Sequence, residues 1–414
     1  MEYEFLRNRN IILFTLKPWD SELGGSINHY AKIFTAHNNK VLVINRALDR
    51  TSIIRFRNDP KIKTRIVGLR NKEKSLRKVQ ENLWVLDPPT VLESVNKIPF
   101  QGLFDFFNRI NNKRLARQIN IAAAKLGFKD IILYIDNDFI RAFYLKEMID
   151  NLSLTVYYIR DFLTSQSYFK GHGQRLEPLL IKKANLVSAN SIYLMNYARK
   201  FNNNSFFVGQ GCNLNLFSGE RFPLPADMSK IPRPIIGYAG ALITTRLSIE
   251  ILKFIAEKRK EWSIVLVGPE DQDFRNSDLH DMPNMFFLGR KAVDELPTYI
   301  SHFDVCINPQ VVNEMTIGNY PLKIDEYLAM GKPIVATRTE AMEMFEDFVT
   351  LCTDKEQYIE AISKCLVQAQ SEEFADRQKA FGRSHTWENC VGILDNALLK
   401  TQMPQENGQE KSKS

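Results

Sequence analysis

The chain has 414 residues, 44% of them hydrophobic and 25% charged. That balance excludes disordered, collagen-like and coiled-coil chains, and at roughly 100–200 residues per domain it implies two or three domains. The net charge is +7 and lies mostly in the first half, where residues 50–78 carry eleven basic residues against Asp59 and Glu73, and residues 109–129 carry six with no acid; such clusters suit a phosphate-bearing partner, whether lipid headgroup, nucleotide or nucleic acid.

The opening MEYEFLRNRN sets charges of both signs before the short apolar run IILFTL at 11–16. Neither a secretory leader nor a membrane span of about 20 apolar residues is expected from it. Further strand-like runs follow at 40–45 (KVLVIN), 83–87 (LWVLD), 130–136 (DIILYID), 155–160 (TVYYIR), 186–190 (LVSAN) and 206–209 (FFVG). Between the first two, Ile27, Tyr30, Ala31 and Phe34 recur at helical spacing, and Leu115, Ile119, Ala122 and Leu126 form a second stripe. Strands alternating with helices predict parallel sheet. Residues 217–234 (FSGERFPLPADMSKIPRP) then break the pattern with four prolines, as a linker does.

Alternation resumes at 234–240 (PIIGYAG), 262–268 (WSIVLVG), 284–289 (NMFFLG), 303–309 (FDVCINP), 333–337 (PIVAT) and 349–353 (VTLCT), with a helix over 247–258 carrying Leu247, Ile251, Phe254 and Ile255 on one face. The polar tail 401–414 reads as disordered. The expected fold class is α/β, with two doubly wound parallel-sheet domains at 1–216 and 234–384, a linker at 217–233 and a helix at 385–400. Ligands of such sheets bind beyond the carboxyl ends of the strands at the topological switch point, so chemistry is sought in a cleft between the two domains. Five scattered cysteines without a C-x-x-C (Cys212, Cys306, Cys352, Cys365, Cys390) fit free thiols in a reducing cytosol.

Residues 303–337, FDVCINPQVVNEMTIGNYPLKIDEYLAMGKPIVAT, are the most informative. A strand ends at Pro309, a loop leads to a helix starting near Pro321, and Gly331-Lys332-Pro333 stops that helix ahead of another strand. Free N–H groups near Leu322 and Lys323 would meet phosphate oxygens at the strand tips. Lys323 adds a cation, and Glu326, three residues on, shares its face; a carboxylate there accepts the two hydroxyls of a ribose. Asn319 and Tyr320, at the entrance to the helix, join Leu322 and Glu326 as donor-binding candidates, and Lys332 reads as a helix-end residue.

This segment resembles the donor-site motif of GT-B glycosyltransferases, especially the retaining family-4 (group 1) type of bacterial polysaccharide biosynthesis, with its P-x-K-x-x-E-Y-x-A-x-G-K-P-V-V-A-T. The likeness extends in order to GGSINHYAKIF at 24–34, LEPLLIKKANLVSANS at 176–191, VGQGCNLNLF at 208–217, IIGYAGAL at 235–242 and HTWENCVGILDNAL at 385–398. The resemblance implies two Rossmann-like domains facing a cleft and sugar transfer from a nucleotide-sugar, such as a UDP- or GDP-sugar, to a glycan or lipid-linked acceptor. It further implies retention of configuration, no metal and no other cofactor. Departures from the pattern are Gly318 where the family's first Glu would stand, Ala241 in place of an Arg, and Gly211 and Asn213 at the turn. Arg246 falls where a partner Lys would be.

Breaking a sugar–diphosphate bond builds negative charge on the leaving phosphate, which cations and helix N-termini stabilise. Arg246, Lys323 and the amides near Leu322 are candidates, although Arg246 also fits the surface start of a helix. Gly24 and Gly25, after the first strand, would let backbone approach the phosphates or the sugar. Asp161, ending TVYYIRD, is a candidate for contact with acceptor or transferred sugar. Asp136-Asn137-Asp138 has the D-x-D spacing by which metal-dependent GT-A enzymes hold a cation, but reads rather as a turn or as an acceptor or sugar contact; no metal is expected. His29, on the helix after the glycines, reads as a surface histidine or a substrate contact.

Residues 100–118 mix Phe100, Phe104, Phe106 and Phe107 with Arg109, Lys113, Arg114 and Arg117. Arg109, Lys113 and Arg117 recur every four residues opposite Leu115 and Ile119, as in a helix lying on an anionic membrane or in a core helix with a solvated basic face. A cytoplasmic location, peripheral to the membrane's inner face, follows from the first reading, and no nucleic acid is expected. Two alternatives stay open: a nucleotide-sugar epimerase on the same fold, and a non-catalytic basic scaffold. A dinucleotide oxidoreductase would need a G-x-G-x-x-G after a strand, which is missing.

Overall fold

The computed structural model describes residues 3–20, 25–56, 58–70, 72–217, 222–368 and 371–402. Gly24, residues 218–221 of the proline-rich segment and all but the first two residues of the polar tail lie outside them. The chain divides into two compact units. One comprises Met1–Asn190, Leu194–Val208 and Cys390–Ser414; the other comprises Ser191–Tyr193 and Gly209–Asn389.

The first unit is built on strands β1 (Asn10–Thr15), β2 (Lys40–Ile44), β3 (Leu48–Asp49), β4 (Leu76–Gln80), β5 (Leu83–Leu86), β6 (Val91–Leu92), β7 (Ile131–Asp136), β8 (Leu152–Ile159), β9 (Leu186–Ala189) and β10 (Ser205–Phe207). Eight of them form a sheet in the order β10-β9-β8-β7-β1-β2-β5-β4, and β3 pairs with β6. Ile11–Phe14 of β1 and all of β7 are buried, because helices cover both faces of a parallel sheet and its strands read as unbroken apolar runs. One strand departs from the parallel expectation. β4 runs antiparallel to β5 at the sheet edge, and its Arg77 and Lys78 place charge where an open edge would otherwise pair with another chain.

The second unit carries β11 (Ile235–Ala239), β12 (Ser263–Val267), β13 (Met285–Phe287), β14 (Val305–Asn308), β15 (Ile334–Thr337) and β16 (Thr350–Cys352), paired in parallel in the order β13-β12-β11-β14-β15-β16. The chain leaves β11 toward β12 on one side and returns as β14 on the other, so the switch point lies between β11 and β14. The helix expected over 247–258 begins at Ile249, with the Ser248 hydroxyl accepting the Ile251 N–H at 3.2 Å. Its buried face is Leu252, Ile255 and Ala256 rather than Ile251 and Phe254, a rotation set by where the covered sheet lies. All five cysteines are free thiols.

Gly237, mid-way along β11, faces Phe303: a Cβ there would meet the ring at 2.0–2.3 Å. Gly237→Ala should therefore destabilise the protein by about 1–3 kcal/mol, the usual cost of overpacking, as a lowered urea midpoint would show.

Candidate functional site

At the carboxyl edge of the second sheet, three backbones meet. Gly268, just past β12, lies so close to Gly240, just past β11, that a Cβ on Gly268 would stand 1.8 Å from the Gly240 oxygen. Gly240 has φ +148°, and a Cβ there would meet the Lys323 Cε at 3.0 Å and the Tyr238 hydroxyl at 3.1 Å. Only glycine fits both backbone and neighbours at these positions.

The Leu322–Ala329 helix docks on this edge. Its Ile324, Tyr327 and Leu328 are fully buried, and the Tyr327 hydroxyl oxygen accepts the Ala239 N–H at 2.9 Å. Gly331, φ +64°, ends the helix and donates to the Leu328 carbonyl. Lys332 spends its ammonium on the carbonyls of Ser301 and Phe303, so it is structural, in line with its reading as a helix-end residue.

At the other end of the helix, Ile324 donates back to the Pro321 carbonyl. Among the described residues, the N–H groups of Leu322 and Lys323 donate to nothing. The Lys323 ammonium lies over the Tyr238 ring, 5.0 Å from its centroid, with no carboxylate in ion-pair reach among the described residues. Glu326, half-buried one turn on, likewise has no hydrogen-bond partner among them. Burial pushes its carboxyl up to about 7, Lys323 pulls it down and Asp325 adds to the rise. A desolvated acid with no partner is an acceptor awaiting donors.

Arg246 lies exposed in the loop after β11. That loop is tied to the neighbouring strand ends by Thr244, whose N–H and hydroxyl both donate to Asp271, and by Ser248, whose N–H donates to the Pro309 carbonyl. The Arg246 guanidinium has no acidic partner among the described residues. Two further donor-side candidates lie beside the helix start. Tyr320 is buried, its hydroxyl committed to Asp325 at 2.8 Å, and Asn319 is half-buried in a turn, its N–H on the Thr316 carbonyl. The residue before it, Gly318, accepts the Ser191 hydroxyl at 2.7 Å through its carbonyl.

In the first unit the switch point lies between β1 and β7, where Thr15 and Asp136 stand side by side. Asp136 accepts from the Thr15 hydroxyl at 3.2 Å and from Arg160 Nε at 2.7 Å, and Arg160 reaches on to Asp161 at 2.9 Å. Asp136 beside Arg160 holds that guanidinium well above its ordinary range. Lys17, beside the same cluster, is lowered by burial and by Arg160. Asp138 is buried on its own partner, Arg141, at 2.7 Å. The D-x-D spacing thus gives two carboxylates neutralised by different arginines, with Asn137 turning between them at φ +55°, rather than one paired site. Arg160 escaped the sequence reading; its one signal was a basic residue at the end of a buried strand.

Gly25 precedes the Ser26–Ala36 helix with φ −161°, extended backbone open to any residue, and a Cβ there would meet the Lys17 Cδ at 3.5 Å and the Asn28 Oδ1 at 3.7 Å, ordinary contacts. The structure thus shows no conformational need for glycine at that position. His29 is half-buried on the same helix. On the Gln101–Lys125 helix, Arg109, Lys113 and Arg117 are exposed opposite the buried Leu115 and Ile119. Phe100, Leu103 and Phe106 are exposed at its start, at 72%, 47% and 61%, while Phe104 is buried.

Residues 233–368 match the family model described as glycosyl transferases group 1. Over 163 residues, 38% of this chain, the sequence is 27% identical to TuaH of Bacillus subtilis (strain 168), whose name is that of a teichuronic acid biosynthesis glycosyltransferase. The matched stretch spans 41% of that relative's length. Among solved structures, the chain resembles a sucrose-phosphate synthase (tll1590) from Thermosynechococcus elongatus, with TM-score 0.65 at 16% identity, covering 95% of this chain and 98% of that one. It also resembles Anabaena Alr3699/HepE in complex with UDP, with TM-score 0.63 at 17% identity, covering 95% and 99%.

Glu326 links the site to stability. A carboxyl raised from 4.5 to about 7 on folding binds its proton more tightly in the folded state, so it lowers stability progressively as pH rises from about 4.5 to about 7 and fully above. Glu326→Gln should gain on the order of 1–3 kcal/mol over wild type at pH 8 and little at pH 4.5. Urea denaturation at both values checks this, and an equal gain at both would refute it.

Proposed function

We propose that this chain, which shares the fold of solved glycosyltransferases and matches the model of glycosyl transferases group 1 over residues 233–368, moves a sugar from a nucleotide-sugar donor to a glycan or lipid-linked acceptor. One observation carries the reading: at the switch point of the second sheet, the first turns of the Leu322–Ala329 helix combine two N–H groups and a Glu326 carboxyl that have no partner among the described residues with the Lys323 ammonium. Amides and ammonium complement a diphosphate, and a carboxylate one turn away complements the two hydroxyls of a ribose. UDP bound to a fold-mate, Anabaena HepE, supports the same ligand class.

In the reaction the bond between the anomeric carbon and the diphosphate oxygen breaks, its electron pair leaving with the nucleoside diphosphate. The acceptor hydroxyl bonds to that carbon and gives up its proton. Charge grows on the leaving oxygen, and Lys323, Arg246 and the helix amides stabilise it where it appears. We propose that these groups act without a metal or cofactor and with retention of configuration, the departing phosphate taking the acceptor's proton. Asp136 and Asp161, oriented by Arg160, serve the acceptor side. Calorimetry with UDP, GDP and ADP tests the reading: one should bind, and Glu326→Ala and Lys323→Ala should each weaken it by roughly 1–3 kcal/mol, the scale of hydrogen bonds to charged groups. Binding of none by the wild type would retire it.

A lipid-linked acceptor would be met at the membrane. No helix among the described residues is long and apolar enough to cross one. The exposed Phe100, Leu103 and Phe106, continued by the basic row Arg109, Lys113 and Arg117, suit shallow insertion with the cations on anionic headgroups, each worth at most about 1 kcal/mol. On this reading the enzyme works at the cytoplasmic face of that membrane. Liposomes containing phosphatidylglycerol should carry the wild type in flotation and release it when Arg109, Lys113 and Arg117 are all changed to Glu. Equal flotation of both would refute the contact.

A further inference from the structure

Between Lys323 and Glu326 on the same helix sits a carboxylate with a different fate. Asp325 is wholly buried. Its Oδ2 accepts from the Tyr320 hydroxyl at 2.8 Å, its Oδ1 lies 2.6 Å from His385 Nδ1, and the tyrosine oxygen is itself 3.3 Å from that nitrogen. An ionised carboxylate only accepts, so Nδ1 carries the proton and donates. Burial pushes the Asp325 carboxyl up, while His385 and Tyr320 pull it down.

The three groups come from separate places. Tyr320 precedes the helix, Asp325 lies in its first turn, and His385 sits between the Glu372–Ser384 and Trp387–Gln402 helices. Gly382 brings the former against the site helix: a Cβ there would stand 2.9 Å from the Ala329 nitrogen and 3.2 Å from the Asp325 oxygen. The Cys212 N–H fixes the His385 carbonyl at 3.0 Å, and the His385 ring stands edge-on to Phe345 and Phe381. The imidazole is therefore held from three sides against one oxygen.

Two adjacent carboxylates at the start of a helix that must receive a diphosphate oppose their ligand. Glu326 is answered by the ligand's hydroxyls, but Asp325 faces inward and cannot be. We infer that His385 is a positioning residue for nucleotide binding: by donating its Nδ1 proton to Asp325 Oδ1 it holds that carboxylate inward, away from the diphosphate, and pins the first turn of the Leu322–Ala329 helix that receives it. The inference rests on the donor reading above. It assigns His385, outside the donor motif, to the strength of phosphate binding through Asp325 rather than to contact with the substrate.

A double-variant cycle on the full chain tests it, with binding of UDP, or of GDP where the calorimetry above selects it, measured beside urea denaturation. His385→Ala removes the Nδ1 donor and leaves the buried Asp325 Oδ1 unpartnered; it should weaken binding at least tenfold. Asp325→Asn/His385→Ala, with no carboxylate left to hold, should restore binding to within about threefold of wild type. A purely structural pair would instead lower the urea midpoint in both variants and leave the affinity of the folded protein unchanged, which overturns the inference. Wild-type affinity in His385→Ala, or a double variant as weak as the single one, does the same. Absence of binding by the wild type would overturn the donor reading and this inference together, whereas the other outcomes leave the donor reading standing.

Discussion

One hydroxyl fixes the register on which the site depends. Tyr327 reaches from the third turn-facing position of its helix to the last residue of β11 and takes the Ala239 N–H, a donor that the end of the strand leaves without a ladder partner. Because that bond is buried, slipping the helix by a residue would strand both groups, at a cost of about 1–3 kcal/mol, and would drag Ile324 and Leu328 from the core. Lys323 lies one turn before Tyr327, so the same bond delivers its side chain to Gly240. Glycine there is what lets the lysine stem lie against the strand end.

Around this contact the protein holds charge under strain. Asp325 and Glu326 are neighbours in sequence, yet one is satisfied by tyrosine and histidine and the other has no hydrogen-bond partner among the described residues. The first arrangement is that of a buried group built into the fold. The second is a group held at a cost, as functional positions often are, where stability is given up for binding.

The first unit solves a similar problem differently. At its switch point the carboxylates of Asp136 and Asp161 share one guanidinium, that of Arg160, which Asp136 keeps charged in spite of its burial. Such a shared cation orients both acids while leaving Asp161 partly open, at 35% side-chain exposure. On the outside of the same unit, exposed aromatic and basic side chains follow each other along the Gln101–Lys125 helix. Its inner face is held by leucine and isoleucine together with Asn108, Asn111 and Asn112, buried amides that bond to backbone carbonyls and fix the helix's rotation.

Local chemistry determined much of this in advance. Runs of β-branched and aromatic residues marked the main strands to within a few residues, because a strand covered on both faces must be apolar throughout. Gly331 and the flanking prolines marked the ends of the site helix, and the spacing of Lys323 and Glu326 put them on one face. Tertiary structure decided the rest. The antiparallel β4 and the two-residue β3 and β6 carry no periodicity of their own and exist only because a neighbour offers hydrogen bonds. The position of Tyr320 beside the motif says nothing about which way its hydroxyl turns, and it turns inward to Asp325. The bond from Asp325 to His385 spans sixty residues, and pairing at that distance is written in no local pattern: it arises only when Gly382 lets two helices touch.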